Sequence, residues 1–144
     1  KLVTYPITAA SGITGPKLKE GDRQVPEGIY RLEYLNPNSS YHLSMKINYP
    51  NEFDRNIAKL EGRSNLGGDI FIHGKSVSVG CIAIGDSAIE ELFYMVSEVG
   101  KNKVKVIITP KDLRNKEFDT SIVNLEWYEE LISNIKAQLM DYKE

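Results

Sequence analysis

The clearest pattern along the chain is an alternation of period two. Tyr41, Leu43, Met45, Ile47 and Tyr49 alternate with His42, Ser44, Lys46 and Asn48, which predicts a β-strand over 41–49 with one apolar face. Pro50 stops it, because proline has no amide to give to a ladder. Before this strand, Gly12, Gly15, Pro16, Gly21, Pro26, Gly28 and Pro37 punctuate the chain and leave short β-like runs at 2–9 and 28–35. Residues 50–69 read as a long polar connection with one helical turn over 53–60, and connections of that length are often lids or binding loops. Apolar runs at 69–73 and 77–84 predict two more strands, and 103–109 reads as a buried strand ended by Pro110. Ser87 and Glu90 have the spacing of a capping box, followed by a helical stripe of Ile89, Leu92, Phe93 and Val96 and a C-cap at Gly100. Leu125, Tyr128, Leu131, Ile132, Ile135 and Leu139 predict a second amphipathic helix within 120–142. Many short strands and two helices in the C-terminal half predict a mainly β, α+β domain. The order of strands in the sheet is not contained in this pattern.

Composition narrows the class. A length of 144 residues suits a single domain over 1–144, with neither a repeat nor a low-complexity stretch. Eighteen basic against twenty acidic residues give a net charge of −2, which argues against a general nucleic-acid binder. No apolar run approaches the ~20 residues that span a bilayer. One cysteine and two histidines rule out an internal disulfide and are too few for a self-contained structural zinc site. The chain starts at Lys1 without a signal-peptide pattern, so a trimmed or mature form is expected.

The chemistry concentrates around Cys81. A thiol becomes a nucleophile when a base stabilises the thiolate, and histidine is the usual partner. His73 closes one predicted strand and Cys81 lies on the next, so a tight connection would bring them alongside each other. Gly80 would let a substrate carbonyl approach the backbone, where the amides near Gly80 and Cys81 could hold an oxyanion. Gly74 would open space beside the imidazole. The competing reading is a small buried core cysteine, the common fate of a lone thiol in an apolar run. His42 lies on the polar side of its strand, where a solvated ring is the default and a place in the site the alternative.

The segment Ile72-His73-Gly74-Lys75-Ser76-Val77-Ser78-Val79-Gly80-Cys81-Ile82-Ala83 resembles the active-site signature of the L,D-transpeptidase catalytic domain (YkuD-type): His-Gly, a variable insert, then Ser-x-Gly-Cys. Its short insert is most similar to the YafK-like branch. Pro26-Glu27-Gly28-Ile29-Tyr30 resembles the family's Pro-x-Gly-x-Tyr/Phe segment, and Tyr49-Pro50-Asn51-Glu52-Phe53-Asp54 a Tyr-Pro-Asn-x-x-Asp element of the branch. Gly85-Asp86 leads into a helix as in the family. The likeness runs from about Ala10 to Pro110.

The resemblance implies a β-sandwich or barrel-like domain with the site in a groove. It implies Cys81 as nucleophile, His73 as general base, and Ser78 and Gly80 as residues shaping the nucleophile turn. The implied reaction is acyl transfer on peptidoglycan stem peptides through a thioester, in the bacterial cell envelope, with no metal or organic cofactor. Hydrolysis of the same substrates (amidase or carboxypeptidase) and a catalytically silent wall-binding module are the alternatives. Val79 and Ala83 stand where many members carry His and Arg, which leans the thioester towards water. Within 50–69, Arg55 and Arg63 are expected to bind the anionic stem peptide, as guanidinium groups suit carboxylates. Gly74 and His42 complete the expected substrate-binding set.

Overall fold

The computed structural model describes residues 2–142. Five strands form one mixed sheet: β1 (Gly28–Ser39), β2 (His42–Ile47), β3 (Phe71–His73), β4 (Ile82–Ala83) and β5 (Lys105–Ile108), in the order β4-β3-β2-β1-β5. β1 is the spine. Its first residues pair with β5 (Gly28 with Ile108, Arg31 with Lys105), and from Leu32 onward it pairs with β2. All pairings are antiparallel except β3 with β4, which run parallel with Ile72 opposite Ile82.

Three helices cover this sheet: α1 (Glu52–Leu60), α2 (Asp86–Val99) and α3 (Tyr128–Leu139). Period-two alternation divides the apolar side chains between two cores. Tyr30, Leu32, Met45 and Ile47 pack against Ile89 and Val96 of α2. Ile29 and Ile107, which neighbour each other across β1 and β5, pack against Tyr128, Leu131, Ile132 and Ile135 of α3. This explains why β5 reads as a continuous apolar run: Val106 and Ile108 serve one core and Ile107 the other. The fold is α+β, as the pattern predicts.

The differences from expectation have local causes. Residues 2–9 form no strand, and only Thr8 and Ala9 hydrogen-bond to Ala83. Leu2 and Ile7 are exposed, so no apolar face drives pairing there. The connection after Pro50 contains a nine-residue helix instead of one turn. Asn51 Oδ1 accepts from the Asp54 amide (2.9 Å), the Asp54 carboxylate accepts from the Asn51 amide (3.0 Å), and the two ends of the first turn are satisfied together. Asn51 Nδ2 also donates to Ile29 O (2.9 Å) and Tyr30 Oη donates to Asp54 Oδ2 (3.1 Å), which fixes α1 to β1. In the Tyr-Pro-Asn-x-x-Asp element, Asn51 and Asp54 are thus a helix start, and the Tyr49–Pro50 peptide before them is cis.

The expected capping box at Ser87 is not formed. α2 begins two residues earlier with Gly85 as N-cap and no side-chain cap, because Asp86 Oδ1 turns back to accept from the Lys75 amide (2.8 Å) and Glu90 engages His42. The strand expected over 77–84 shortens to Ile82–Ala83, since 74–81 is spent crossing from the end of β3 to the start of β4. The C-terminal helix starts at Tyr128, after a short 3₁₀ helix at Thr120–Ile122.

Candidate active site

Parallel pairing of β3 and β4 sets the site. Ile82 lies opposite Ile72, so Cys81 falls level with Phe71, two residues before His73 on the neighbouring strand. Phe71, His73 and Cys81 therefore share one face of the sheet. This is not the turn-back arrangement expected from a tight connection; a parallel crossover puts Cys81 at the entrance of one strand and His73 at the exit of the other. Both line a cleft of about 380 Å³, together with Ser78, Val79, Tyr41 and Ser44.

His73 is buried at 3% exposure, and its Nδ1 lies 2.6 Å from Gly74 O. A carbonyl oxygen only accepts, so Nδ1 carries the proton and Nε2 holds the free lone pair of a base. The Tyr41 ring lies against the imidazole at 4.5 Å between centroids, tilted by 38°, and Ser44 is its register partner on β2. These contacts hold the ring in one orientation.

Cys81 is half-buried. Its Sγ accepts from the Phe71 amide (3.4 Å) and donates to Asp69 O (3.7 Å), so the resting group is a neutral thiol. Burial pushes the Cys81 thiol above its ordinary value; the Phe71 amide pulls it back, Asp69 adds a smaller push, and the charge of Lys17 a smaller pull. Lys17 is a buried ammonium held by Asp22 at 2.7 Å.

Gly80 has φ +77°, a conformation side chains rarely adopt, and this turn presents Cys81. Its N–H donates to Ser11 Oγ (2.7 Å), and Ser11 in turn donates to Arg23 O (2.6 Å). The expected pair of oxyanion amides is thus reduced in this state, because one of them is already taken. Ser78 Oγ is buried beside Cys81 and has no hydrogen-bond partner among the described residues. A polar atom that gives up water without a protein partner is poised to meet a ligand.

The other expected residues lie elsewhere. Gly74 does not open space beside the ring: a Cβ there would come within 2.7 Å of Tyr41 O and of Asp86 Oδ1, so this glycine lets the β1–β2 hairpin close over His73. His42 stands outside the cleft, its Nε2 2.6 Å from Glu90 Oε1. Arg63 donates to Leu18 O (2.8 Å) beside Tyr49, and Arg55 lines a different groove. Ala83 is fully buried and bonded to residues 8–9, so it cannot line the cleft, whereas Val79 is 68% exposed at its mouth. Sequence reasoning missed Tyr41, assigned to an apolar strand face, and Ser44, assigned to the polar one. It also missed Ser11 and Lys17, for which no local signal exists. No cluster of metal-ligating side chains occurs among the described residues.

A half-buried thiol, a buried histidine held by its Nδ1 and a hydroxyl without a partner thus line one cleft. The chain belongs to the family described as YkuD, the L,D-transpeptidase catalytic domain, whose profile matches residues 1–108. It is 37% identical over 114 residues to YafK of Escherichia coli (strain K12), a protein assigned to the L,D-transpeptidases only provisionally by its name. It is equally similar to YafK of Escherichia coli O157:H7. The match covers 76% of this chain and 44% of YafK, so the chain spans less than half the length of those relatives. Among solved structures, the helical cell shape determining protein Pgp2 from Campylobacter jejuni has the same fold at a TM-score of 0.56. That match has 22% identity and covers 93% of this chain and 59% of Pgp2. A single-substitution variant of Pgp2 matches at 0.53 with 27% identity, covering 92% and 43%.

Proposed function

We propose that this chain is a cysteine-dependent acyl-transfer domain acting on peptidoglycan stem peptides in the bacterial cell envelope. The observation that carries the reading is His73: its Nδ1–H is committed to Gly74 O, which leaves Nε2 as a base in the cleft that also holds Cys81.

Because the resting thiol is neutral, the reaction begins with proton transfer. His73 Nε2 takes the Cys81 proton as Sγ attacks the substrate carbonyl carbon, and the carbonyl oxygen becomes an oxyanion. The Ser78 hydroxyl and the Cys81 amide are the donors this turn can offer that oxygen, the Gly80 amide being held by Ser11. Collapse breaks the C–N bond, the leaving amine takes the proton from His73, and a Cys81 thioester remains. An amine or water then attacks the thioester, losing its proton to His73, and the thiol is restored. One feature favours water as the acceptor: Ser40, Tyr41, Val77 and Val79, the exposed side chains at the mouth, offer no charge to position an incoming amine.

Incubation with purified stem-peptide fragments, followed by mass spectrometry of the products, tests both points. Cys81→Ser should lose nearly all turnover, and wild-type turnover in that variant would overturn the mechanism. With a free D-amino acid at rising concentration, hydrolysed product should persist; near-complete conversion to the amine adduct at modest concentration would make the domain a transferase in practice.

A further inference from the structure

A second concavity lies at the other end of the sheet. Where β1 leaves β5 and joins β2, it borders a groove of about 920 Å³ closed by α1 and the short 3₁₀ helix Lys101–Lys103. The groove shares no lining residue with the Cys81 cleft. From Arg31, at this fork, to Ser39, beside the cleft, the strand rise amounts to roughly 25 Å.

Five cations line it: Arg31, Arg55, Lys101, Lys103 and Lys105, against the carboxylates Glu33 and Glu52. On a chain of net charge −2 this is a marked segregation of charge. None of the five is in an ion pair among the described residues, whereas Glu33 is 3.8 Å from Lys46, which lies outside the groove. Lys105 Nζ hydrogen-bonds to the neutral Gln138 and Arg55 to a backbone carbonyl, with the charge of Arg55 also felt by the half-buried Asp54. Arg31 and Lys105 are also register partners across β1 and β5. Like charges directly opposite on a sheet destabilise it, at a Cβ separation of about 5 Å. An anion lying between them reverses the sign of that interaction, and a guanidinium beside an ammonium matches a carboxylate.

We infer that this groove is a second, non-catalytic binding site for carboxylate-bearing chain of the wall polymer, an inference that rests on the peptidoglycan reading above. The shape favours a chain over a bilayer, since the cations ring a concavity instead of crowning a flat face. A polymer held there stays within reach of the cleft, so that each release from Cys81 is followed by recapture at high effective concentration. Soluble single stem peptides, which cannot occupy both sites, gain nothing from it.

The test is co-sedimentation of the full chain with purified peptidoglycan sacculi, in 50 and 200 mM NaCl (roughly bracketing physiological screening). The variant is Arg31→Gln/Lys103→Gln/Lys105→Gln, all exposed side chains outside the catalytic machinery. Wild type should be retained and lose retention with salt, and the variant should be retained roughly tenfold less at the lower salt. Alkylation of Cys81 and turnover of soluble stem peptide should be the same in both. Sacculi whose carboxylates have been amidated should lose the wild type as well. Equal retention of variant and wild type overturns the site, and retention on amidated sacculi overturns its carboxylate chemistry. Retention on phosphatidylglycerol vesicles or polyphosphate but not on sacculi overturns the occupant. Loss of turnover in Cys81→Ser bears only on the catalytic reading, so the two fail separately.

Discussion

At the β3–β4 end of the sheet the candidate groups are few and at least half-buried: a neutral thiol, an imidazole 3% exposed and a hydroxyl without a partner. At the β1–β5 end the cations are many and mostly exposed, and beneath them a buried carboxylate ties the third helix down. Glu27 Oε2 accepts from Tyr128 Oη at 2.6 Å and its Oε1 accepts from the Gly15 amide at 2.7 Å. In the proposed reading, one end works by geometry at short range, where desolvation tunes a single proton, and the other by charge at long range, upon a structural latch. Chemistry on an acyl group needs the first arrangement, and holding a polymer needs the second.

The sharpest way to break this division is Tyr128→Phe. It leaves the buried Glu27 carboxylate short of a donor and should cost about 1–3 kcal/mol of stability in urea denaturation. Alkylation of Cys81 should stay at its wild-type rate under native conditions; a parallel loss of reactivity would mean that the two ends are one unit. Ser11→Ala should cost less, about 0.5–1.5 kcal/mol, because it removes one hydrogen bond at the edge of the nucleophile turn. Hydrogen exchange at the Gly80 amide should then accelerate. Unchanged exchange would show that Ser11 does not hold the turn.

The smallest effect is a slope. Burial raises the Glu27 carboxyl above its ordinary value, against the pull of Tyr128 and the Gly15 amide, and burial likewise raises Asp54. A carboxyl with a folded value above its unfolded one contributes stability that is full below the ordinary carboxylate range. That contribution is lost as pH rises through the raised folded value. Denaturation midpoints measured upward from pH 4 should therefore show this decline, and Glu27→Gln should flatten it. The same slope in the variant would place the titration elsewhere.

How much of this was legible in the sequence depends on the range of the contact. Period-two alternation located β2, helical spacing located α2 and α3, and the His-Gly and Ser-x-Gly-Cys segments brought out His73, Ser78 and Cys81, which line one cleft. The boundaries that went astray are those where a side chain found a distant partner instead of its local one. Asp86 serves Lys75 and Glu90 serves His42, so no capping box forms at Ser87. Arg55 and Arg63 were drawn into one binding loop by proximity in sequence, and the helix that forms there sends them to different places. Ser11 and Lys17 bear on the site through a fold in the chain that no local pattern encodes.

The Tyr128–Glu27 bond joins residues 101 positions apart, while the contact of Phe71 with the Cys81 sulfur joins residues ten apart. Closing the longer loop costs about 2 kcal/mol more chain entropy. That is as much as a buried hydrogen bond to a charged group returns. The docking of the last helix therefore rests on the apolar side chains of its core, Leu131, Ile132 and Ile135, more than on this bond, whereas the strands bearing the thiol and the imidazole close over a short length of chain. Distance along the sequence, as much as chemistry, makes the thiol-bearing end of the sheet the cheaper one to assemble.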